Sequence, residues 1–182
     1  MVRRLRAWFG LGGASVTPRA GAAYVPHETG ERVLDENLVL PTDDILRQFL
    51  DDFGLKHFVD DEGDLGVRWE HCSVYFFHYG HQREVLQARM YLNRRFTVEA
   101  RAGVAMALDD WNRTKLFPKA YTVLPDDGLV GICGEQCYDF ELGATHEQIK
   151  YTLGVWIDTL LKFAEWVEDH VWSPNAGDEN PN

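Results

Sequence analysis

The sequence has few cysteines and no long apolar run. Its three cysteines, Cys72, Cys133 and Cys137, are odd in number among 182 residues. Cys133 and Cys137 are four residues apart in a strand pattern, which places their side chains on one face about 13 Å apart, too far for a disulfide. No segment approaches the roughly 18 to 20 apolar residues that a membrane-spanning helix needs. The chain is therefore expected in the cytoplasm, long enough to bury a core without disulfide or metal staples.

Basic residues are also scarce. The chain has 18 Lys and Arg against 29 Asp and Glu, so its formal net charge is -11 and its pI is near 5.0. Nucleic acids and anionic membranes need a basic footprint, and this balance disfavours both as main partners. Arg3, Arg4 and Arg6 could form a weak anion-binding or membrane-surface arm, but no apolar run of signal-peptide length follows them. Residues 1–41 are predicted to be a flexible N-terminal arm.

Recognisable catalytic, metal and cofactor motifs are absent from the sequence. The residues after Asp60 resemble a calcium loop, but Leu65 stands where the turn glycine should be and His71 where the bidentate glutamate should be. Cys72 and the nearby histidines lack the close spacing of zinc ligands. The glycines that begin at Gly10 lack a phosphate-binding lysine. We therefore expect no enzyme, no catalytic residue, no metal and no cofactor; an enzyme with a site of dispersed residues is an alternative.

Hydrophobic periodicity predicts three helices and six strands. A first helix is predicted over 43–53, where apolar residues recur every three or four positions, and Gly54 ends it. The period then changes to two, which predicts strands over 55–59, 65–69, 73–79, 84–92, 120–124 and 129–142. The resulting order, α-β-β-β-β-α-β-β-α, is typical of an α+β fold in which helices cover one antiparallel sheet.

Small residues suggest two details of packing. A second helix is predicted to begin after Thr97, a good N-cap. Its small residues are expected to pack closely onto the sheet; they are Ala102, Gly103, Ala105 and Ala107. In the last strand, Gly131 or Gly134 is expected to mark a bulge.

The last helix is predicted from its capping box. Thr145 and Gln148 can satisfy each other's backbone donors, and the helix is expected to run to about Val171. Its core face is predicted to consist of Ile149, Leu153, Trp156, Ile157, Leu160, Phe163, Ala164 and Val167. The folded α+β domain is accordingly predicted over residues 42–172, followed by a disordered acidic tail over 173–182.

Three motifs occur along the chain in the same order as in a known protein family. Residues 60–69 are DDEGDLGVRW, residues 109–121 are DDWNRTKLFPKAY, and residues 141–148 are ELGATHEQ. Over residues 33–170 the chain closely resembles the YbjN domain family, described as proposed bacterial regulators of sensory transduction. The resemblance implies a fold like that of type III secretion chaperones, which are commonly dimers that hold an extended client segment. It also implies a protein-binding module without catalytic machinery.

The central motif places Trp111, Asn112, Pro118 and Tyr121 at positions that match the family, with Phe117 where relatives often have Trp. We interpret these as structural residues. Asn112 is expected to take the left-handed conformation at the helix end and bond loose carbonyls, while Pro118 prevents the helix from resuming. Trp111 is expected to anchor this corner in the core.

Arg113, Lys115 and Lys119 place three positive charges in one short segment of an acidic chain. They could bind a small anion or an acidic client peptide. The other interpretation is that neighbours such as Asp109 and Asp110 neutralise them, since mixed surface charge is normal. An anion site here would make the protein a small-anion-responsive regulator, which is the alternative function.

The last helix also offers a candidate contact surface. Val155 and Trp166 are eleven residues apart and share a line about 20° wide on the flank of the core face, with Thr159 nearby. Tryptophan is enriched where binding energy concentrates, so these residues are predicted to border a homodimer or client contact. Alternatively, a wider sheet or the N-terminal arm covers them. The sequence thus predicts a non-enzymatic chaperone-like or adaptor module that binds an unidentified protein segment and homodimerises.

Overall fold

Within residues 37–171, three helices and six strands follow one another in the predicted order. The computed structural model describes residues 37–171. The helices are α1 (Asp43–Asp52), α2 (Arg101–Thr114, after a 3-10 turn, Val98–Ala100) and α3 (His146–His170). The strands are β1 (His57–Val59), β2 (Leu65–Arg68), β3 (Cys72–Tyr79), β4 (Val85–Leu92), β5 (Lys119–Val123) and β6 (Gly131–Asp139). The predicted α+β architecture is confirmed.

The strands form one antiparallel sheet in the order β1-β2-β3-β4-β6-β5. Met90 of β4 lies opposite Val74 of β3, and Arg89 lies opposite Tyr75. Because successive side chains of a strand point to opposite faces, Met90 and Val74 join the core that the helices cover. Arg89 and Tyr75 lie on the other face, which we term the open face. Within residues 37–171, no helix covers it.

Helix α3 forms the centre of the core. Its eight predicted core residues are all buried, and Phe163 and Leu160 are 0% exposed. The capping box is formed as expected: the Thr145 N–H donates to Gln148 Oε1 at 2.9 Å, and the Gln148 N–H donates to Thr145 Oγ1 at 3.2 Å. Local sequence signals therefore define this helix correctly at its start and along its buried face.

Three of the four small residues of α2 do not pack onto the sheet, so the expectation is wrong for them, while Ala107 is half-buried. Ala102, Gly103 and Ala105 are exposed, whereas Val104 and Leu108 are buried. At about 100° per residue, Ala102 and Gly103 lie on the side of α2 that faces away from the buried pair, and Ala105 lies on the flank. Close contact with the sheet therefore does not require their small size, and at Gly103 an added Cβ would meet nothing within 4 Å.

Strand β6 contains no bulge in its pairing with either neighbour. Glycine is needed at position 134 for close packing and not for a bulge. A Cβ there would lie 3.0 Å from the Phe163 ring and 3.2 Å from the Pro118 ring. Gly134 therefore allows close approach of α3 and of the segment before β5 to the middle of the sheet.

The predicted N-terminal arm lies outside the described residues over positions 1–36. The predicted tail over 173–182 also lies outside them. Residues 37–41 are described. Val39 makes two backbone hydrogen bonds with Ala144, at 2.9 and 3.0 Å, so packed structure begins before Thr42. No helix among residues 37–171 is both long and apolar enough to cross a membrane.

Candidate functional site

The corner between α2 and β5 explains the residue types of the central motif. The Trp111 indole N–H donates to the Pro118 carbonyl oxygen at 2.9 Å. The Asn112 amide donates to the Ala120 carbonyl oxygen at 2.8 Å and accepts from the Ala120 N–H at 2.9 Å. Strand β5 is an edge of the sheet, and unpaired edge groups invite pairing with another chain. Asn112 therefore satisfies the N–H and carbonyl groups of Ala120, which would otherwise be unpaired at this edge.

Asn112 does not end α2, and its expected left-handed conformation is wrong. The helix continues to Thr114. Among residues 37–171, the non-glycine residue with a positive φ is Arg83, at 61°. The physical reason is that the Asn112 amide bonds across to β5 instead of bonding the carbonyls at the end of its own helix.

Four donors converge on one carboxylate of the open face. Glu135 of β6 accepts hydrogen bonds from Tyr121 at 2.6 Å, Lys119 at 2.9 Å, Arg89 at 3.2 Å and Gln87 at 3.3 Å. Strand register causes this, because Glu135 lies opposite both Arg89 and Lys119. The side chains of Arg89 and Glu135 are 8% and 14% exposed. These five residues, termed the Glu135 cluster, thus contain an ion pair that is largely removed from water.

The surroundings of the Glu135 cluster fix its protonation. Burial by itself raises the pKa of Glu135, but hydrogen bonds from Tyr121 and Lys119 and the charge of Arg89 outweigh it and hold the pKa below its ordinary value. Burial raises the pKa of Tyr121, and it raises the pKa of the neighbouring Cys133 to about 12. At neutral pH the carboxylate is charged while the phenol and thiol are neutral. Both carboxylate oxygens are already bonded, which disfavours a role as general base or nucleophile.

Aromatic side chains cover much of the open face. They are Phe58, Tyr75, Phe77, Tyr79, Tyr91 and Tyr121. The Tyr75 ring centroid lies 5.7 Å from that of Phe58 and 6.1 Å from those of Phe77 and Tyr91. Gly66 makes room for this arrangement, since a Cβ there would come within 2.7 Å of the Phe58 ring. The open face therefore presents a row of contacting rings next to the Glu135 cluster.

The three cations predicted to bind an anion lie in different surroundings. Arg113 pairs with Asp110 at 2.9 Å, and Lys119 pairs with Glu135 at 2.9 Å on the open face. Lys115 borders a groove beside α3. Two of the three charges thus have carboxylate partners within the chain, which favours the neutralisation interpretation. An anion site formed by all three stays a prediction.

Val155, Thr159 and Trp166 lie along one flank of α3. Tyr151 extends the row by one turn at the same four-residue spacing. Tyr151 and Val155 are 76% and 39% exposed, and Thr159 and Trp166 are half-buried. The Thr159 hydroxyl accepts from the Gln136 amide and donates to the Val155 carbonyl oxygen, both at 2.8 Å. Tyr151, Val155, Thr159 and Trp166 are termed the α3 stripe, which is about 22 Å long.

A depression lies at each end of the α3 stripe. The first has a volume of about 490 Å³ and is lined by Tyr151, Val155 and, just after α1, Phe53. The second, termed the Trp166 groove, has a volume of about 450 Å³ and lies between Trp166 and Phe117 in the loop before β5. Phe117 is 58% exposed. The α3 stripe therefore joins two partly apolar hollows on one side of the molecule.

Trp166 belongs to both the core and the surface. Its ring centroid lies 5.1 Å from that of Trp111, 6.4 Å from that of Phe163 and 4.9 Å from that of His170. The contacts with Trp111 and Phe163 close the core, while the remaining surface lines the Trp166 groove. Substitution of Trp166 would therefore disturb the fold and the surface together. Substitution of Val155 changes the surface alone and is the better test of it.

A buried histidine connects α1 to the sheet. His78 Nε2 lies 2.9 Å from Asp43 Oδ1, and the His78 side chain is 2% exposed. Arg83 approaches the same carboxylate at 3.4 Å. Burial lowers the pKa of His78 despite the neighbouring Asp43 carboxylate, so the ring is neutral at neutral pH. This contact is structural; across residues 37–171, no three His, Cys, Asp or Glu side chains gather as metal ligands.

Sequence reasoning missed Tyr151 and the Glu135 cluster. Tyr151 stands four residues before Val155, so helical spacing alone was a sufficient signal for extending the α3 stripe. Glu135 occupies an ordinary alternating position in its strand. Its role depends on the register of β6 against β4 and β5, which periodicity within one strand does not specify.

The fold defines the class of protein: an α+β domain in which helices cover one face of an antiparallel sheet. Residues 42–169 match the model of the YbjN family, described as a "Putative bacterial sensory transduction regulator". Because this match covers well over half of the chain, the chain belongs to the YbjN family. That description is of a regulator and not of an enzyme.

One solved structure agrees with this assignment at the level of fold. The crystal structure of YbjN from E. coli, described as "a putative transcription regulator", has 21% sequence identity and a TM-score of 0.62, covering 74% of this chain and 96% of its own. An uncharacterized protein from Methanothermobacter thermautotrophicus has 11% identity and a TM-score of 0.44, covering 71% of this chain and 98% of its own. At such low identity the likeness to E. coli YbjN concerns the fold alone. Among curated proteins, none matches this chain significantly.

Proposed function

We propose that the protein is a non-enzymatic, chaperone-like or adaptor module that binds a protein segment along the α3 stripe and self-associates. The observation that carries the proposal is the run of partly exposed apolar side chains from Tyr151 to Trp166, with a hollow at each end. An amphipathic partner helix or an extended segment can place side chains in both hollows while it lies along the stripe. The family description as a regulator supports binding over catalysis.

The chemistry of the α3 stripe suits a protein partner. Aromatic anchors in desolvated pockets usually supply most of the binding energy at protein interfaces. Tyr151 and Trp166 would serve as such anchors once a partner covers them, while Lys115 and Lys162 at the Trp166 groove provide a polar rim. If the partner is a second copy, the contact is isologous, so that the stripe of one copy meets the same surface of the other.

The small-anion alternative makes a different prediction. An anion that binds the native protein raises its thermal stability by mass action. Arg113 and Lys119 already have carboxylate partners, so an added anion would have to displace them. We therefore expect inorganic phosphate to produce no saturable rise in melting temperature; the gradual, non-saturating stabilisation that phosphate and sulfate give by exclusion from protein surfaces is not binding.

Affinity capture from the native lysate tests the proposal. The full-length protein, Val155→Glu and Met106→Glu are each used as bait, and retained proteins are identified by mass spectrometry. Met106 is 73% exposed on α2, which makes it a matched control for adding a charge at an exposed apolar site. We expect a stoichiometric partner with the wild type and the control but not with Val155→Glu. Equal retention by all three baits would rule out the α3 stripe.

Size measurement separates self-association from binding of a different protein. The purified wild type and Val155→Glu are compared by sedimentation velocity across a wide concentration range. We expect a concentration-dependent dimer for the wild type and a shift to monomer for a still-folded Val155→Glu. A wild type that stays monomeric would contradict the self-association part of the proposal and leave the binding of a separate partner to the capture experiment.

A further inference from the structure

The α3 stripe has a projecting aromatic side chain at one end and an aromatic groove at the other. Tyr151 is 76% exposed, whereas Trp166 is half-buried and lines the Trp166 groove together with Phe117. Tyr151 and Trp166 are separated by about 22 Å along the helix, and the midpoint between them falls between Asp158 and Thr159. One surface therefore carries both a projecting ring and a groove that can receive a ring.

We propose that two copies of the chain pair through antiparallel α3 helices, with Tyr151 of each copy in the Trp166 groove of the other. A two-fold axis at the midpoint of the stripe relates the two copies. Tyr151 then lies opposite Trp166 of the second copy, and Val155 lies opposite Lys162 of the second copy. The inference rests on the self-association part of the proposed function and adds the orientation and register of the pair.

The residues that this pairing needs share one side of α3. At about 100° per residue, they fall within about 80° of one another around the helix; they are Tyr151, Val155, Asp158, Lys162 and Trp166. The first four are exposed and the last is half-buried. Rows of side chains spaced three and four residues apart are the surfaces through which helices pack side by side. A single antiparallel helix can therefore contact all five positions at once.

The chemistry of the Trp166 groove suits a tyrosine. Trp166 and the 58% exposed Phe117 offer two rings there, and aromatic rings pack favourably against one another in offset or edge-to-face contacts. The groove is also lined by Lys115 and Asp169, which offer the Tyr151 hydroxyl a hydrogen-bond partner while the Tyr151 ring leaves water. Because of the two-fold axis this contact occurs twice, and it removes exposed aromatic surface from both copies.

The charges along the α3 stripe also allow a second copy to approach. The whole chain has a net charge of -11, so two copies repel each other through most of their surface. Three lysines and four carboxylates line the two hollows of the stripe, so this side is close to neutral. Asp158 and Lys162 form an ion pair at 2.7 Å beside the midpoint. In the antiparallel pair each Asp158 lies between Lys162 of its own copy and Lys162 of the second copy, which makes the surface complementary to itself.

Disulfide trapping with mixed variants of the full-length protein tests the orientation and the register. Cys137, which is exposed, is first replaced by serine, while Cys72 and Cys133 are buried. Val155→Cys and Lys162→Cys are then oxidised separately and as a mixture. In the antiparallel pair these two positions face each other. Each is about 10 Å along the helix from its own equivalent in the second copy, which is too far for a disulfide.

We expect a covalent dimer from the mixture and none from either variant alone. A contact of this length is at the low end of specific interfaces, so the copies exchange on mixing. Val155→Cys mixed with Met106→Cys, at an exposed position of α2, is the control and should give no product. Equal product from one variant alone would overturn the inference. A wild type that sediments as a dimer without the mixed product would also overturn it but leave self-association intact, whereas a monomeric wild type would contradict both.

Charge exchange beside the two-fold axis tests the same pairing by sedimentation velocity. Lys162→Glu places four carboxylates around the axis and should raise the dissociation constant of the dimer about tenfold or more. Asp158→Lys combined with Lys162→Glu restores two charges of each sign, so this double variant should dimerise as the wild type does. Thermal unfolding verifies that each variant is folded. A folded double variant that is as monomeric as Lys162→Glu would overturn the inference.

Discussion

The two faces of the sheet bury their side chains by different means, and β4 shows both. On the helix-covered face, Leu86, Ala88 and Met90 are at most 1% exposed and belong to the hydrophobic core. On the open face, Gln87 and Arg89 are 8% and 7% exposed but donate hydrogen bonds to Glu135. Residues that alternate along one strand thus depend on apolar contact on one side and on charged hydrogen bonds on the other.

This difference determines what each face tolerates. Apolar cores accept changes of shape when their volume is kept, and they lose stability when a cavity forms. A buried ion pair has no such tolerance, because removing one partner leaves the other charge uncompensated. The helix-covered face therefore depends on volume, whereas the open face depends on the identity of a few side chains around Glu135.

The largest expected effect comes from breaking the helix-covered face. Phe163 is 0% exposed, and its ring centroid lies 5.0 Å from that of Trp111. Phe163→Ala should lower the free energy of unfolding by about 3 to 5 kcal/mol, measured by urea denaturation. Tyr75→Ala on the open face, where Tyr75 is half-buried, should cost less than half as much. Equal losses would mean that both faces belong to one continuous core.

Removing the charge of Glu135 should destabilise the fold through the open face. Glu135→Gln leaves Arg89 buried without a carboxylate partner, and we expect a loss of about 2 to 4 kcal/mol. Glu70→Gln is the matched control, since the Glu70 side chain is 87% exposed, and it should change the free energy of unfolding by less than about 0.5 kcal/mol. If Glu135→Gln were as harmless as the control, the Glu135 cluster would not stabilise the fold.

The same cluster predicts a pH dependence. The pKa of Glu135 is lower in the folded protein than its ordinary value, so its ionisation favours folding. This contribution is complete above about pH 4.3, the ordinary pKa of glutamate, and is lost as the pH falls through the lower folded pKa. The stability difference between the wild type and Glu135→Gln should therefore shrink below about pH 4.3. A difference that stays constant or grows on acidification would contradict this assignment.

A smaller loss of stability is expected at the edge of the sheet formed by β5. Asn112→Ala removes two hydrogen bonds to the backbone of Ala120 and should cost about 1 to 3 kcal/mol. Asp109→Ala, at an exposed position of the same helix, is the control. The Asn112→Ala protein should also show faster amide hydrogen exchange in β5. Unchanged exchange at Ala120 would mean that the side chain does not protect this edge.

Thiol labelling compares the accessibility of the three cysteines without a substitution that would affect stability. Burial raises the pKa of Cys133 to about 12 and that of Cys72 to about 11. Cys137 is exposed on the same strand and face as Cys133. A maleimide reagent should therefore modify Cys137 rapidly at neutral pH and the other two thiols only after unfolding. Rapid labelling of Cys133 in the native protein would show that solvent reaches this position of the open face as well, which would contradict its burial.

Signals that are local in sequence predicted most of the fold. The capping box at Thr145 and the spacing of apolar residues defined α3, and alternation defined the strands. Features that depend on contacts between distant segments could not be read in this way. Asn112 meets Ala120 across a corner, and Glu135 meets Arg89 because of strand register; neither geometry is encoded by spacing alone.

The candidate surface was predicted only in part for the same reason. Helical periodicity placed Val155, Thr159 and Trp166 on one flank, and the structure places them there. The contact of Trp166 with Trp111 depends on how α2 packs against α3, which the sequence pattern does not specify. Exposure of Phe117 beside that pair likewise follows from the path of the loop before β5.

Photo-cross-linking in living cells tests the central claim, that the α3 stripe contacts protein, most directly. A benzophenone amino acid replaces Tyr151, which is 76% exposed on the stripe, or Met106, which is 73% exposed on α2. We predict a discrete cross-linked product from position 151, with a second copy or another protein, and none from position 106. No product from position 151, or the same products from both positions, would contradict it.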